Sequence, residues 1–258
     1  MNSRNNFALL FAVLSWFLIY TNAQYRIWNG KDRNIEKSPY LASIHDSGIY
    51  ICTGALISLQ MVLTAAHCVA YSRGNLIVVE AGITDLDDTT EDGQMRGVES
   101  IHHPCDYSPE TGHMDIAVIK LHTPFRRGSR VEIIELCDTT LNLGTKMRVS
   151  GWGATSGDNE RYSCTLQTTN VNIVLTQECA PMAAILGNMI TESMICATRD
   201  GTSPCQGDSG APGVVKGKLC AVVSYGICCA NPSYPTVYTD VNNAKVRNFL
   251  RDAMAWLS

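Results

Sequence analysis

The sequence predicts an all-β fold, a sandwich or barrel with a terminal α-helix, and two patterns carry this prediction. Short apolar, β-branched runs recur between turn signals, and runs of this length and spacing are typical of sandwiches and barrels. Helical period is clear only near the C-terminus, where apolar residues recur at steps of three and four with charges between them. With 45% apolar and 17% charged residues, the 258-residue chain can bury a substantial core.

The predicted elements follow one another along the chain. The clearest strand-like runs are residues 76–79, 116–119, 171–174, 214–215 and 221–223. The predicted helix places five apolar residues on one face: Val246, Phe249, Leu250, Ala253 and Leu257. Because its polar face is not strongly basic, the pattern favours packing on the protein over a membrane-surface helix.

The N-terminus reads as a secretory signal peptide over residues 1–23. Arg4 precedes an uncharged apolar run over 7–20, and Ala23 supplies the small residue at the cut, so the mature chain begins near Gln24. A membrane anchor is the alternative, but the run is too short to span a bilayer comfortably. We therefore expect a secreted, extracellular protein.

The cysteine content and the net charge indicate which ligands and partners the protein can have. Eleven cysteines in a secreted chain indicate disulfides, with a thiol left over, because the export route is oxidising and no paired C-x-x-C spacing occurs. His102, His103 and Cys105 lack a fourth ligand, so no metal and no cofactor is expected. The net charge is −4, and −6 once Arg4 and Arg26 leave with the leader, which predicts no nucleic-acid or membrane partner.

The run 207–210, Gly-Asp-Ser-Gly, places a candidate nucleophile, Ser209, between glycines. A serine hydroxyl needs a base and an orienting acid, and His67 and Asp115 are the candidates, Asp115 because it leads directly into an apolar run. A lipase or esterase would need G-x-S-x-G and the order Ser, Asp, His. Residue 211 is Ala and the order is His, Asp, Ser, which argues against that alternative.

With Gly151-Trp152-Gly153 and the tail Pro235-Thr236-Val237-Tyr238, these segments resemble the chymotrypsin/trypsin family of serine endopeptidases from Ile27 onwards. The resemblance implies two packed six-stranded antiparallel β-barrels over residues 27–258, with a crossover near 125–145. His67 and Asp115 would come from the first barrel and Ser209 from the second. The family's members are hydrolases that form an acyl-enzyme.

The resemblance also assigns roles. Ser209 would attack the peptide carbonyl, His67 would move the proton, and Asp115 would orient the imidazole. The backbone N–H groups of Gly207 and Ser209 would form the oxyanion hole, and a glycine at 207 suits the backbone angles this needs.

Activation is implied by Arg26-Ile27, which resembles the family's zymogen cut and leaves a propeptide of residues 24–26. The freed ammonium of Ile27 would pair with Asp208 and bring the segment around Ser209 into its active shape. A buried carboxylate without such a partner costs several kcal/mol, enough to drive the change.

The implied specificity pocket comprises Ser203, Ser224, Tyr225, Gly226 and Thr236. Ser203 stands where trypsin-like members carry Asp, so a substrate cation would be buried without a partner. Gly226 leaves the pocket mouth open, and Thr236 replaces a Gly and shortens the slot. We therefore expect Leu, Met, Val or Ala before the scissile bond.

The family pattern pairs six cysteines: Cys52-Cys68, Cys179-Cys196 and Cys205-Cys229. It gives no partner to Cys105, Cys137, Cys164, Cys220 or Cys228, and Cys228 could replace Cys229 in the third pair.

The expected partners are protein and peptide substrates, a protease that cuts after Arg26, and protein inhibitors; the protein is expected to be a monomer. The main alternative is a protease-like binding or adaptor protein that is weakly active or inactive. Such homologues commonly lose a member of the triad, whereas this chain keeps all three.

Overall fold

The computed structural model describes residues 27, 29–87, 93–154, 162–227 and 234–257. A short strand β1 (Lys31–Asp32) precedes a first barrel of six antiparallel strands. These are β2 (Leu41–Asp46), β3 (Ile49–Ser58), β4 (Met61–Thr64), β5 (Ile77–Ala81), β6 (Gln94–His102) and β7 (Ala117–Leu121). The strand order is β2-β3-β4-β7-β6-β5, and pairing of β5 with β2 closes the barrel.

The second barrel is formed by the C-terminal half of the chain. Its strands are β8 (Lys146–Gly151), β9 (Gln167–Val174), β10 (Met194–Thr198), β11 (Pro212–Val215), β12 (Lys218–Tyr225) and β13 (Thr236–Asp240). They follow the order β8-β9-β10-β13-β12-β11, pairing of β11 with β8 closes the ring, and β1 adds to β9. The predicted fold of two six-stranded barrels is confirmed.

The barrels form where the sequence places apolar side chains at strand period. In β5, Ile77, Val79 and Ala81 are buried and the residues between them are partly exposed, which is the alternation of a strand with one face on a core. Residues 77–79 of the predicted run 76–79 thus lie on this strand with Ile77 and Val79 facing inward, whereas Leu76 ends the preceding 3₁₀ turn and is exposed.

The predicted terminal helix is confirmed as α2 (Ala244–Leu257). Val246, Leu250 and Ala253 are buried, and they join the same apolar cluster as the first barrel. The Lys120 ammonium on β7 donates to the carbonyl of Leu257, so the chain end returns from the second barrel to the first.

The structure adds a helix that the sequence analysis does not predict, α1 (Thr176–Ile185). Its apolar residues form no single stripe and it contains Pro181, so periodicity gives no signal. Local contacts fix it instead: the Glu178 carboxylate accepts a hydrogen bond from Leu175 N at 3.1 Å, and a disulfide joins Cys179 to Cys196 on β10.

Residues 122–145 connect the barrels. Within this segment Phe125 and Ile134 are buried. A disulfide joins Cys137 to Cys220 on β12. The family pattern gives no partner to either of these cysteines. The pairing follows from how the connecting segment lies on the second barrel, where Cys137 N donates to Leu219 O at 2.8 Å.

The predicted signal peptide and propeptide lie outside the described residues. None of the helices in the described ranges has the length and apolar character needed to cross a bilayer.

Candidate active site

Two neighbouring strands of the first barrel bring His67 and Asp115 together. β4 and β7 pair in antiparallel register with Thr64 opposite Ala117, so the end of β4 lies beside the start of β7. His67 follows β4 in a 3₁₀ turn, and Asp115 lies two residues before β7. The His67 Nδ1 atom lies 2.7 Å from Asp115 Oδ2, and His67 N donates to Asp115 Oδ1 at 2.9 Å.

The second barrel holds the same carboxylate from the other side. The Ser224 hydroxyl donates to Asp115 Oδ2 at 2.5 Å, and the Thr239 hydroxyl donates to the Asp115 carbonyl at 2.7 Å. The Asp115 side chain is 3% exposed, whereas that of His67 is 37% exposed. The acid is therefore fixed by both barrels, while the imidazole reaches the cleft.

The environment of His67 affects its protonation in two directions. Burial lowers the pKa of His67, whereas the hydrogen bond and the charge of Asp115 raise it, and the net direction is upward. Because Asp115 contacts Nδ1, the tautomer that donates from Nδ1 leaves Nε2 free to accept a proton.

Ser209 lies on the turn before β11, where its carbonyl accepts a hydrogen bond from Thr53 N of the first barrel at 2.9 Å. Ser209 and His67 both line one cavity of 270 Å³ at the seam of the barrels. Within the described ranges no hydrogen bond joins their side chains. Nucleophile–base pairs are often looser in unliganded sites than in substrate complexes.

The segment before Ser209 contains a glycine in the left-handed region of backbone conformation. Gly207 has a φ of +89°, a conformation that glycine adopts at little cost. Among the described residues, the backbone N–H groups of Gly207 and Ser209 donate no hydrogen bond. Ser209 lines the cavity, whereas Gly207 is buried beside it and is not one of the lining residues.

Asp208 is fully buried behind this segment. Its carboxylate accepts hydrogen bonds from Gly153 N and Cys205 N, both at 2.9 Å. A Cβ at Gly153 would lie 2.4 Å from the Asp208 Cγ atom, so only glycine leaves room for the carboxyl there. Burial raises the pKa of Asp208 to about 7, and no cation contacts it among the described residues.

Ile27 and Asn29 lie at the start of the described chain. Ile27 is fully buried, but its nitrogen is part of a peptide bond in the uncleaved chain. Asn29 has a φ of +53°, which asparagine tolerates better than most residues, and its side-chain amide donates to Gly201 O at 2.7 Å. Arg26, the predicted cleavage residue, lies outside the described residues.

Four of the five predicted pocket residues line the 270 Å³ cavity: Ser224, Tyr225, Gly226 and Thr236. Ser203 is half-buried and precedes the wall residue Pro204, but it does not line this cavity. A Cβ at Gly226 would lie 3.7 Å from Thr236 Oγ1, which places these two residues on facing parts of the wall. No described lining residue is acidic.

The cysteines near the site are mostly paired. Disulfides join Cys52 to Cys68, beside His67, and Cys179 to Cys196. Cys205 is also disulfide-bonded, and its candidate partners, Cys228 and Cys229, lie outside the described residues.

Cys105 and Cys164 are exposed free thiols. The Cys164 thiol donates to the Asp87 carboxylate at 2.7 Å, and this hydrogen bond, followed by burial, raises the pKa of Cys164 to about 11.

Sequence reasoning missed residues that contact the site across the barrels. Thr239 holds the Asp115 carbonyl, the Ser193 hydroxyl accepts from Met114 N at 3.1 Å, and the Tyr50 hydroxyl donates to the Gly207 carbonyl at 2.6 Å. Each contact joins residues far apart in the chain, so no local pattern signals it.

The fold and the site together define the class of protein, a serine-type endopeptidase. Comparison with known proteins agrees. The family described as Trypsin matches residues 27–248. The trypsin of Sarcophaga bullata is 36% identical over 226 residues, covering 85% of this chain and 86% of that protein. Trypsin alpha of Drosophila melanogaster is 37% identical over 216 residues, covering 84% and 83%.

A solved structure gives the same result. Neuropsin, a serine protease expressed in the limbic system of mouse brain, superposes with a TM-score of 0.78 at 30% identity, covering 88% of this chain and 99% of that one. The chain belongs to the trypsin family of serine proteases.

Proposed function

We propose that this protein is a secreted, zymogen-activated endopeptidase that cleaves after uncharged, small-to-medium apolar residues. The observation that carries the catalytic part is that His67 and Ser209 line one cavity, while the buried Asp115 contacts His67 from behind, with 2.7 Å between His67 Nδ1 and Asp115 Oδ2. Acyl transfer needs a nucleophile, a base in contact with an orienting acid, and anion donors, and these residues can supply all of them.

The proposed reaction has two halves. The Ser209 oxygen attacks the scissile carbonyl while His67 Nε2 takes the hydroxyl proton, and the carbonyl oxygen becomes an anion held by the N–H groups of Gly207 and Ser209. The intermediate collapses as His67 returns the proton to the leaving amine, which gives the acyl-enzyme. Water then attacks the ester as His67 Nε2 takes its proton, and the bond between the acyl carbon and the Ser209 oxygen breaks as His67 returns that proton to Ser209, which releases the acid product.

Activation by cleavage after Arg26 is supported by the surroundings of Asp208. A fully buried carboxyl with a pKa raised to about 7 is a group that a nearby cation would stabilise. Cleavage would convert the buried nitrogen of Ile27 into an ammonium, and the Asn29 contact with Gly201 would hold the new terminus close to the body of the protein. A separate protease would make this cut.

The preference for uncharged residues is supported by the cavity wall. Several relatives are named trypsins, and trypsin-like members carry an Asp where this chain has Ser203. Because no described wall residue is acidic, a Lys or Arg side chain would lose its hydration without gaining a counter-charge. Thr236 lies across the cavity wall from Gly226, and its branched side chain would shorten the pocket, which favours Leu, Met, Val or Ala over Tyr or Trp.

Secretion is supported by the N-terminal apolar run and by the disulfides, which persist in oxidising compartments. The substrates are proteins and peptides, and protein inhibitors are expected to occupy the same cleft.

The test is covalent labelling. The purified precursor, cut after Arg26, is treated with a leucine diphenyl phosphonate, and the label is mapped by mass spectrometry. We expect stoichiometric label on Ser209 in the cut protein, slow labelling of the uncut protein, and none in Ser209→Ala. A cut, folded protein that takes no label would instead support the inactive binding or adaptor protein.

Specificity is tested on the same material with a panel of peptide substrates that differ only before the scissile bond. The expected order places Leu, Met, Val and Ala above Tyr and Trp, with Arg and Lys lowest. Clear preference for Arg or for Tyr would contradict the proposed pocket.

A further inference from the structure

A buried tyrosine outside the triad contacts the segment that carries the nucleophile. Tyr50 lies on β3 of the first barrel and is 6% exposed. Its hydroxyl donates to the Gly207 carbonyl at 2.6 Å, across 157 positions of sequence. This bond joins the first barrel to the peptide group between Gly207 and Asp208.

The hydrogen-bond roles around this hydroxyl are fixed. A tyrosine hydroxyl has one proton, and a carbonyl can only accept, so Tyr50 donates to Gly207. The hydroxyl of Thr53 lies 2.8 Å from the Tyr50 oxygen and must therefore be the donor in that contact. Thr53 thus directs the Tyr50 proton toward Gly207.

The donor state of Tyr50 persists over the working pH range. Burial raises the pKa of Tyr50 well above its usual range, and the nearby charge of Asp208 raises it further, although the hydrogen bond with Thr53 opposes this. The hydroxyl therefore stays protonated whenever a protease of this kind is active.

Aromatic rings complete the enclosure. The Tyr162 ring packs edge-on against Tyr50, with 5.2 Å between centroids, and Trp152 does the same at 6.4 Å. Tyr162 also covers Gly207, since a Cβ at that glycine would lie 2.7 Å from Tyr162 Cε1. The flexible glycine is thus held by a hydroxyl and by a ring.

We propose that Tyr50 is a positioning residue for the oxyanion hole: its hydroxyl fixes the Gly207–Asp208 peptide so that the N–H groups of Gly207 and Ser209 stay aimed at the substrate oxyanion. The inference rests on the proposed function. A glycine with φ +89° can rotate at little cost, so the donors on either side of it need an external restraint. Without Tyr50 the Gly207 carbonyl would be left without this partner.

The experiment uses Tyr50→Phe in the full-length precursor, cut after Arg26. With a neutral leucine peptide substrate we expect kcat to fall by about tenfold with KM nearly unchanged, which is a fraction of the roughly 10²–10³ that loss of an entire oxyanion donor costs. Labelling by the leucine phosphonate should slow by a similar factor, because its phosphoryl oxygen uses the same donors. Affinity for a cleaved product peptide should not change.

Tyr40→Phe is the matched control. Tyr40 is also a buried tyrosine of the first half of the chain, but its hydroxyl lies 3.4 Å from Ser38 Oγ. It should lose stability without a selective loss of kcat. Thr53→Val, which removes only the group that directs the Tyr50 proton, should lower kcat by about two- to threefold through weaker cooperative bonding.

Each possible result either supports or overturns the role proposed for Tyr50. A folded Tyr50→Phe variant with wild-type kcat and labelling rate overturns the inference alone. If Tyr50→Phe does not fold, an unchanged kcat in Thr53→Val overturns it, and a selective loss there supports it. A cut wild-type protein that neither labels nor cleaves peptides removes the proposed function and this inference together.

Discussion

The Ser224 hydroxyl donates a 2.5 Å hydrogen bond to the Asp115 carboxylate. Ser224 lies on β12 of the second barrel, whereas Asp115 precedes β7 of the first. The orientation of the acid, and through it that of His67, therefore depends on the packing of one barrel against the other. A site built in this way lies at the seam, where neither barrel alone supplies all of its parts.

Removal of this hydroxyl should lower both kcat and the stability of the fold. Ser224→Ala takes one of the hydrogen bonds from a buried carboxylate, and a hydrogen bond to a charged group contributes about 1.5–3 kcal/mol. We expect kcat to fall by about tenfold, as measured with a leucine peptide.

Ser150→Ala is the control for that variant, because the Ser150 hydroxyl is buried in the same barrel and donates to Thr168 Oγ1 at 2.8 Å. An equal loss of kcat in both variants would show that the effect is one of stability.

The dependence of kcat/KM on pH should reflect the pKa of His67. The imidazole must be neutral to act as a base, and Asp115 raises its pKa, so kcat/KM of the cut protein should fall on the acid side with a midpoint above 6.5. In Asp115→Asn only burial remains, so the midpoint should move below 6.5, with kcat lower by at least about 100-fold. An acid limb that does not move would mean that another group controls it.

Stability of the uncut protein should depend on Asp208. Its pKa is about 7 in the folded chain and near 3.8 when unfolded, so between these values the folded state holds a proton that the unfolded state has released. The unfolding free energy should therefore fall as pH rises from 4 to 7, by up to about 1.4 kcal/mol per pH unit, and level off above 7.

Urea unfolding across this pH range measures the effect. Asp208→Asn should lack the slope, and cleavage after Arg26 should reduce it if the Ile27 ammonium pairs with Asp208. A slope of the same size in the uncut wild type and in Asp208→Asn would contradict the assignment.

Thr236 should control the size of the side chain that the pocket accepts. Thr236→Gly removes a buried side chain from the wall opposite Gly226, so the ratio of kcat/KM for Tyr over Leu substrates should rise by about tenfold or more. The Arg substrate should remain poor, because the change adds no acid. An unchanged ratio would place the size limit elsewhere.

Cys164 should react more slowly with alkylating reagents than its exposure to solvent suggests. The Asp87 carboxylate accepts a hydrogen bond from the thiol and, with burial, raises the pKa of Cys164 to about 11, so the reactive thiolate is scarce at pH 8. Asp87→Ala should speed alkylation of Cys164 by iodoacetamide about tenfold, while Cys105, the other exposed free thiol, serves as an internal control. Equal acceleration of both thiols would indicate general loosening.

Much of the architecture could be predicted because it depends on local sequence patterns, namely apolar runs and helical periodicity. Most of the strand-like run 76–79 lies on β5 with Ile77 and Val79 buried, and the C-terminal helix buries Val246 and Leu250 on the face that its period indicates. Helix α1 gave no such signal, because Glu178 and a disulfide fix it rather than an apolar stripe.

The residues of the site also fall into those that the sequence identifies and those that only the folded structure reveals. His67, Asp115 and Ser209 stand in recognisable motifs, so the sequence could name them. The Cys137–Cys220 disulfide and the contacts of Tyr50 and Thr239 could not be found, because each depends on where the completed fold places two distant segments.

If His67, Asp115 and Ser209 act as one catalytic unit, the losses of activity on removing them must be non-additive. The measurement is kcat/KM of the cut protein as wild type, His67→Ala, Ser209→Ala and the double variant, on one leucine peptide. We expect each single change to remove nearly all activity and the double variant to be no worse than either. Losses that multiply in the double variant, or substantial turnover by Ser209→Ala, would contradict it.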